Sequence, residues 1–83
     1  MENTTRAAVI AVILKDSGYA NEVNAILHEY SDMIIGRMGL PYRKKNINII
    51  SIAVDGEQDR INTMAGRLGR IEGAATKTIY APR

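Results

Sequence analysis

The chain has 83 residues, which is enough for one small hydrophobic core and excludes two independent ones, so residues 1–83 are expected to form a single domain. Hydrophobic residues make up 46% and charged residues 24% of the chain, which is typical of a folded globular protein and excludes a disordered or collagen-like one. The net charge of +2 is too balanced for a dedicated phosphate-backbone binder, and the absence of cysteine excludes disulfides and thiolate metal sites.

The first predicted element is a central strand at residues 6–14. Apolar residues occupy both alternation faces of this segment, as expected for a strand covered on both sides. A signal peptide is the weaker interpretation, because Lys15 and Asp16 interrupt the apolar run. No apolar run approaches the ~18–20 residues that span a bilayer, so we expect a cytoplasmic protein without membrane contact.

A helix is predicted next, from Tyr19 to Tyr30. Its apolar residues recur at three- and four-residue intervals with polar residues between them. Asp16 or Ser17 is expected to cap its N-terminus.

Two strands of different character follow. Residues 33–42 contain two glycines, an arginine and a proline, which are tolerated at a sheet edge and poorly tolerated in its centre. Residues 47–54 are apolar on both faces and predict a second central strand, which Asp55 and Gly56 are expected to close.

The last two predicted elements are a helix and an edge strand. Acidic residues after Gly56 favour a helix N-terminus, and an apolar stripe continues to Gly69, a candidate C-cap. Gly66 in mid-helix is interpreted as permitting a close approach to the sheet. Residues 74–80 are half-polar and predict the fourth strand.

The resulting order βαββαβ predicts an α+β, ferredoxin-like fold with an antiparallel sheet of order 4-1-3-2. Both helices are expected on one sheet face. The other face is then open, and its apolar residues favour a homo-oligomer, either a dimer or a tetramer. Arg37 and Lys77, on the two predicted edge strands, are expected to rim this open face.

No constellation in the sequence predicts catalysis, a cofactor or a metal. His28 is the only histidine and has no partner at a metal-ligand spacing. Base stacking on a central strand is not expected, because residues 7–14 and 47–54 contain no aromatic. The basic turn at residues 43–45 could touch phosphates but is more typical of a solvated turn, so nucleic acid is an unfavoured partner.

Two clusters carry a resemblance to a known family. They are the R-x-G-x-P pattern of residues 37–41 and the G-R-L-G-x-I-x-G run of residues 66–73, with the intervening segment 46–50 and the Thr-Lys-Thr of residues 76–78. Together they resemble the small stand-alone family named for regulators of the iron-only hydrogenase system. That family is similar to ACT-type ligand-binding domains and to the C-terminal domain of the nickel-responsive repressor. The resemblance implies an ACT-like fold, sheet-mediated dimers or tetramers and a regulatory role.

The chain departs from the nickel repressor in two ways. It has no His/Cys ligand set, and it shows no N-terminal segment that could be a ribbon-helix-helix domain. Nickel sensing and direct DNA binding are therefore not expected.

A candidate ligand site is the first strand-to-helix loop, consisting of Asp16, Ser17, Gly18 and Tyr19. Backbone N–H groups at a helix start can receive an anion, and Gly18 allows the backbone to approach a ligand closely. Arg37, from the same or a neighbouring chain, could complete the site with a fork that matches a carboxylate or phosphate. A turn glycine and a helix cap would explain the loop equally well without a ligand.

These observations predict a non-enzymatic, oligomeric regulatory module that binds a small effector at a subunit interface or acts through a partner protein. The alternatives left open are a purely structural protein–protein assembly module and a weak nucleic-acid binder that uses the basic turn.

Overall fold

The computed structural model describes residues 5–15 and 19–82 of the chain. The strands are β1 (Thr5–Leu14), β2 (Ile34–Tyr42), β3 (Ile47–Glu57) and β4 (Ala74–Tyr80), and the helices are α1 (Ala20–Glu29) and α2 (Gln58–Gly69). Single 3-10 turns lie at Ser31–Met33 and Arg43–Lys45. The predicted order of elements is confirmed.

The four strands form one antiparallel sheet in the order β2-β3-β1-β4. This is the predicted order 4-1-3-2 read from the opposite edge, and the two strands that are apolar on both faces are the central ones. β3 extends further than predicted, because β1 also begins earlier and Thr5 pairs with Glu57. Gly56 is therefore a buried strand residue and does not close the strand.

The hydrophobic core lies between the sheet and the two helices. Alternate residues of β1, from Ala8 to Leu14, are buried against the helices, and Ile50, Ile52 and Val54 do the same from β3. The helices contribute the buried side chains Val23, Ile26, Leu27, Ile61, Met64 and Leu68. In the described residues no polar or charged side chain is buried, so apolar burial accounts for the stability of this core.

The glycines of α2 correct one prediction. A Cβ at Gly66 would meet nothing within 4 Å, so this residue permits no close approach. The close approach is at Gly69, where a Cβ would lie 3.0 Å from the Thr76 hydroxyl oxygen of β4. Gly69 is the last helical residue and Arg70 is the C-cap. Gly73 has a φ of +83°, which allows the chain to turn into β4.

A β-bulge near the start of β2 corrects another prediction. Ile34 pairs with Val54 and Gly36 with Ala53, so two steps along β2 match one step along β3. The extra residue reverses the alternation of every residue that follows. Arg37 therefore lies opposite Ile52 on the helix-covered face, and the prediction that it rims the open face is wrong.

Two ion pairs join α2 to the end of α1 and to the 3-10 turn that follows it. A guanidinium nitrogen of Arg67 lies 2.7 Å from a Glu29 carboxylate oxygen, and Arg60 contacts both carboxylate oxygens of Asp32, at 2.7 and 3.1 Å. Both guanidinium groups also lie against the ring of Tyr30. Hydrogen bonding by the arginines lowers the pKa of Glu29 and of Asp32.

No helix in the described part of the chain is long and apolar enough to cross a membrane.

Candidate functional site

The sheet face that carries no helix is the first candidate surface, and we call it the open face. In the described residues, eight large apolar side chains are exposed, and all eight project from this face. They are Val9, Ile13, Ile35, Met38, Leu40, Tyr42, Ile49 and Ile79. Exposed apolar residues of a solvated protein are normally scattered, so their collection on one face indicates a contact surface.

Strand pairing arranges these side chains in rows across the sheet. Leu40, Ile49 and Ile13 form one row, and Val9 and Ile79 lie side by side in another. The register also places Lys77 on this face, opposite Ala11, as predicted. Because Lys77 lies on an edge strand, its charge is at the margin of the open face and does not interrupt the apolar area on the inner strands.

The bulge shapes one end of the open face. It projects Ile35, whose surface is 67% exposed, and Ile79 on the opposite edge strand is equally exposed. Between them lies an apolar groove of about 310 Å³ that is floored by Val9 and Ala53. The open face thus presents both ridges and a groove that could receive them.

The second candidate lies on the helix-covered face, in a cleft of about 220 Å³ between α1 and β2. We call it the α1–β2 cleft. It is lined by Leu14, Ala20, Val23, Asn24, Arg37, Gly39, Pro41, Asn48 and Ile50.

This cleft exists because β2 has little bulk on its helix-facing side. The bulge places Gly39 beside Ile50, where a larger residue would fill the space under the helix. A Cβ at Gly39 would meet nothing within 4 Å. The buried side chains Leu14, Val23 and Ile50 form an apolar floor that this gap leaves accessible from the sheet edge.

The polar groups of the cleft are one guanidinium and two amides. Arg37 donates a hydrogen bond from Nη2 to Oδ1 of Asn24 at 2.9 Å. The side chain of Asn48 lies on the same sheet face, beside Pro41. Within the described residues, the ion pairs join other arginines to carboxylates, and Arg37 has no such counter-ion. The cleft therefore has positive charge at its edge and an apolar interior.

Of the predicted site residues, Arg37 lines the α1–β2 cleft. Arg37 lines the same cleft as Leu14 and Ala20, the residues at which β1 ends and α1 begins. Asp16, Ser17 and Gly18 lie outside the described residues, so their part in the site stays a prediction. Tyr19 is the N-cap of α1, and the predicted capping by Asp16 or Ser17 concerns residues outside the described ones.

Tyr19 itself points away from Arg37. Its ring packs against the core, and its hydroxyl lies 3.4 Å from Oε1 of Glu72, just before β4 at the opposite edge of the sheet. The structure therefore does not place the hydroxyl of Tyr19 in the same cleft as the guanidinium.

Asn24, Gly39 and Asn48 line the cleft but were not predicted as site residues. Asn24 and Asn48 are polar residues flanking apolar core positions, a signal that is also typical of ordinary surface residues. Gly39 was interpreted as an edge-strand feature and as part of the R-x-G-x-P pattern, and not as a residue of a ligand site. Its position beneath α1 depends on the bulge, which the sequence pattern does not reveal.

His28 and the basic turn, the other residues considered in the sequence, lie exposed on the surface. His28 is exposed on α1, and the described residues contain no group of three or more His, Cys, Asp or Glu side chains that could hold a metal ion. The basic residues Arg43–Lys45 form an exposed 3-10 turn between β2 and β3.

Comparison with known proteins supports the resemblance seen in the sequence. Residues 6–78 match the model of the TM1266-like family, whose description reads "Iron-only hydrogenase system regulator, putative". The solved structure of the uncharacterized protein TM1266 from Thermotoga maritima superposes with a TM-score of 0.89 at 32% identity, covering 94% of this chain and 99% of that one. A search of curated proteins gives no significant match.

A more distant structural neighbour shows the fold alone. It is a formyltetrahydrofolate deformylase from Pseudomonas putida KT2440, with a TM-score of 0.67 at 15% identity. The match covers 92% of this chain and 29% of the deformylase chain. The sheet order and these structural neighbours agree with a ferredoxin-like, ACT-like α+β fold.

Proposed function

This chain belongs to the TM1266-like family of iron-only hydrogenase system regulators, and from that premise we propose that it is a regulatory module that works as a homo-oligomer and binds a small effector. In this proposal it acts by binding and not by catalysis. The observation that carries the proposal is the open face, where all the exposed large apolar side chains of the described residues are collected.

The extent of the open face supports a second copy of this chain as its partner. Strands about 4.8 Å apart, with about 3.3 Å per residue, give four strands of eight residues a flat area of roughly 500 Å². Its accessible surface is larger than its flat area, and a standard interface buries about 800 Å² per partner. One sheet face therefore offers an area of the same order as a standard interface.

The charges at the margins of the open face also suit a second copy. Lys77 lies on the edge strand β4, and Asp55 lies near the end of β3 on the same face. A two-fold axis places the open face of one protomer against the same face of its partner, so Lys77 of each protomer can meet Asp55 of the other. Such pairs at the rim would favour one register of the two sheets.

Light scattering on the untagged chain tests the oligomer. We expect a mass of at least twice 9.1 kDa at micromolar concentration. Met38→Glu and Ile79→Lys each place a charge inside the apolar face and should dissociate the oligomer. Ala25→Lys, on the exposed side of α1, is the matched control and should leave the mass unchanged.

A wild-type monomer at these concentrations would contradict the proposal, as would an oligomer that survives both charged substitutions.

Thermal unfolding tests whether the protein binds a small effector. A regulatory module should be stabilised by its ligand, by about 2.7 kcal/mol at 100 times the dissociation constant, whereas a purely structural assembly module should not respond to small molecules.

A further inference from the structure

We propose that the α1–β2 cleft binds a small carboxylate with a short apolar chain, whose carboxylate is held by Arg37 and whose chain lies on the apolar floor of the cleft. The inference rests on the proposed function in so far as this carboxylate would be the effector of the regulatory module. It names the site and the chemical class of the ligand.

The charge of the cleft selects the anion. An arginine has five N–H donors, and the hydrogen bond to Asn24 uses one of them. Among the described residues, Arg60 and Arg67 are neutralised by carboxylates at 2.7 Å, whereas Arg37 is not. A planar guanidinium with free donors matches a carboxylate in a two-bond fork. Asn24 fixes the side chain in place, which reduces the entropy lost when the ligand binds.

The shape of the cleft selects the rest of the ligand. Its floor consists of the buried side chains Leu14, Val23 and Ile50, which gain by contact with an apolar group. The volume of about 220 Å³ is below the ~300–1,000 Å³ of sites for drug-sized molecules, so it suits a ligand of amino-acid size.

A second polar group, the side-chain amide of Asn48, lies at the other end of the cleft from Arg37. Asn48 pairs with Pro41, which lies four residues from Arg37 along β2, or about 13 Å at the rise of a strand. The amide of Asn48 can donate or accept a hydrogen bond. The cleft thus has a cationic end, an apolar middle and a neutral polar end.

Gly39 provides a way to block the cleft without straining the backbone. It lies between the two polar ends, its φ is not positive, and a Cβ there would meet nothing within 4 Å. Valine suits a strand and would occupy the space of the ligand. Gly36 is the matched control, because it is equally unobstructed but projects to the open face.

Nuclear magnetic resonance of the ¹⁵N-labelled full chain tests the proposal. The probes are leucine, 4-methyl-2-oxopentanoate and 4-methylpentanoate, with 4-methylpentan-1-ol as the neutral control. We expect the carboxylates, and not the alcohol, to shift the side-chain amide of Asn24, beside the guanidinium, and the backbone amide of Gly39. The tightest of the three shows whether an amino acid, an oxo acid or a simple fatty acid is preferred.

Three variants locate the site. Arg37→Gln should weaken carboxylate binding by about 10- to 100-fold, the range expected for lost hydrogen bonds to a charged group. Gly39→Val should abolish binding, and Gly36→Val should retain it. The amide spectra of the variants establish that each is folded, and Arg37→Gln, at an exposed position, gives the decisive comparison if Gly39→Val does not fold.

The proposal is overturned if no carboxylate shifts these amides at about 10 mM, where a ligand with a dissociation constant of 1 mM would be roughly nine-tenths bound. It is also overturned if the alcohol binds equally well, or if Arg37→Gln leaves binding unchanged. Light scattering on the same samples separates this result from the proposed oligomer. A monomer that binds through Arg37 contradicts the oligomer alone, and an oligomer that binds no carboxylate contradicts the cleft alone.

Discussion

Replacing Gly56 with alanine should destabilise the protein through a single steric contact. Gly56 is buried in β3, and a Cβ at this position would lie 2.6 Å from Sδ and 3.1 Å from Cβ of Met33. The sulfur belongs to a flexible side chain and can move. The Cβ of Met33 cannot move without its backbone, which forms the 3-10 turn leading into β2.

The magnitude follows from two opposing effects. Overpacking a core by one methyl group costs about 1–3 kcal/mol. Replacing glycine with alanine recovers about 0.4–1 kcal/mol, because the unfolded chain has less freedom to lose. Taking the middle of each range, the net loss in the free energy of unfolding is about 1.3 kcal/mol. Since a domain of this size loses ~4–8 °C per kcal/mol, the melting temperature should fall by about 5–10 °C.

The assay is thermal unfolding by circular dichroism at one fixed protein concentration, because oligomerisation makes the melting temperature concentration-dependent. Gly66→Ala is the control: its Cβ would meet nothing within 4 Å, and alanine favours a helix interior by up to ~1 kcal/mol, so this variant should melt higher than the wild type. A Gly56→Ala variant that melts at or above the wild-type temperature would refute the steric argument.

Other predictions concern the core, the open face and the ion pairs. Ile61→Ala, which truncates a fully buried side chain, should lower the free energy of unfolding by about 2–5 kcal/mol in urea. Ile79→Ala should instead weaken the oligomer and leave the dissociated chain within ~0.5 kcal/mol, which unfolding at low and high protein concentration distinguishes. Folding lowers the pKa of Glu29 and of Asp32, so their ion pairs stabilise the fold fully at pH values above the usual carboxyl pKa. This stabilisation is lost as the pH falls through the lowered pKa values of the folded protein. The urea midpoint of the wild type should therefore fall more between pH 7 and pH 3 than that of the Glu29→Gln, Asp32→Asn double variant, and equal falls would contradict the sign.

The sheet order could be predicted because apolar residues on both faces of a strand have one explanation in a small sheet. Residues 6–14 and 47–54 are apolar on both faces, and in this topology the central strands pack against the helices on one face and carry apolar side chains on the other. The helical stripes were equally direct, and the side chains of Val23, Ile26 and Leu27 are buried as their spacing predicts. The spacing of the apolar residues was thus sufficient to predict the fold.

The candidate site could be predicted only in part, because it depends on one extra residue in β2. Simple alternation from Ile34 would place Arg37 on the open face, and the bulge between Ile34 and Gly36 reverses this. Gly36 has no side chain, so the hydrophobic pattern contains no signal of the reversal. The association of Arg37 with the loop residues 16–18 stays a prediction, and Arg37 shares a cleft with Asn24 and Gly39 only because of that reversal.

The position of β1 in the sheet has a consequence for how the chain folds during synthesis. β1 is the first strand to leave the ribosome, yet its partners are Ile47–Glu57 and Ala74–Tyr80, in the second half of the chain. Each of its ladders therefore closes a long loop before any pairing energy is gained, which slows folding relative to proteins with local contacts. Until residue 57 has been made, an aliphatic segment with unpaired hydrogen-bonding groups is exposed to other chains. Since β4 also pairs with β1, the four-stranded sheet can be completed only after residue 80 has been made, and until then its unpaired strands are open to other chains.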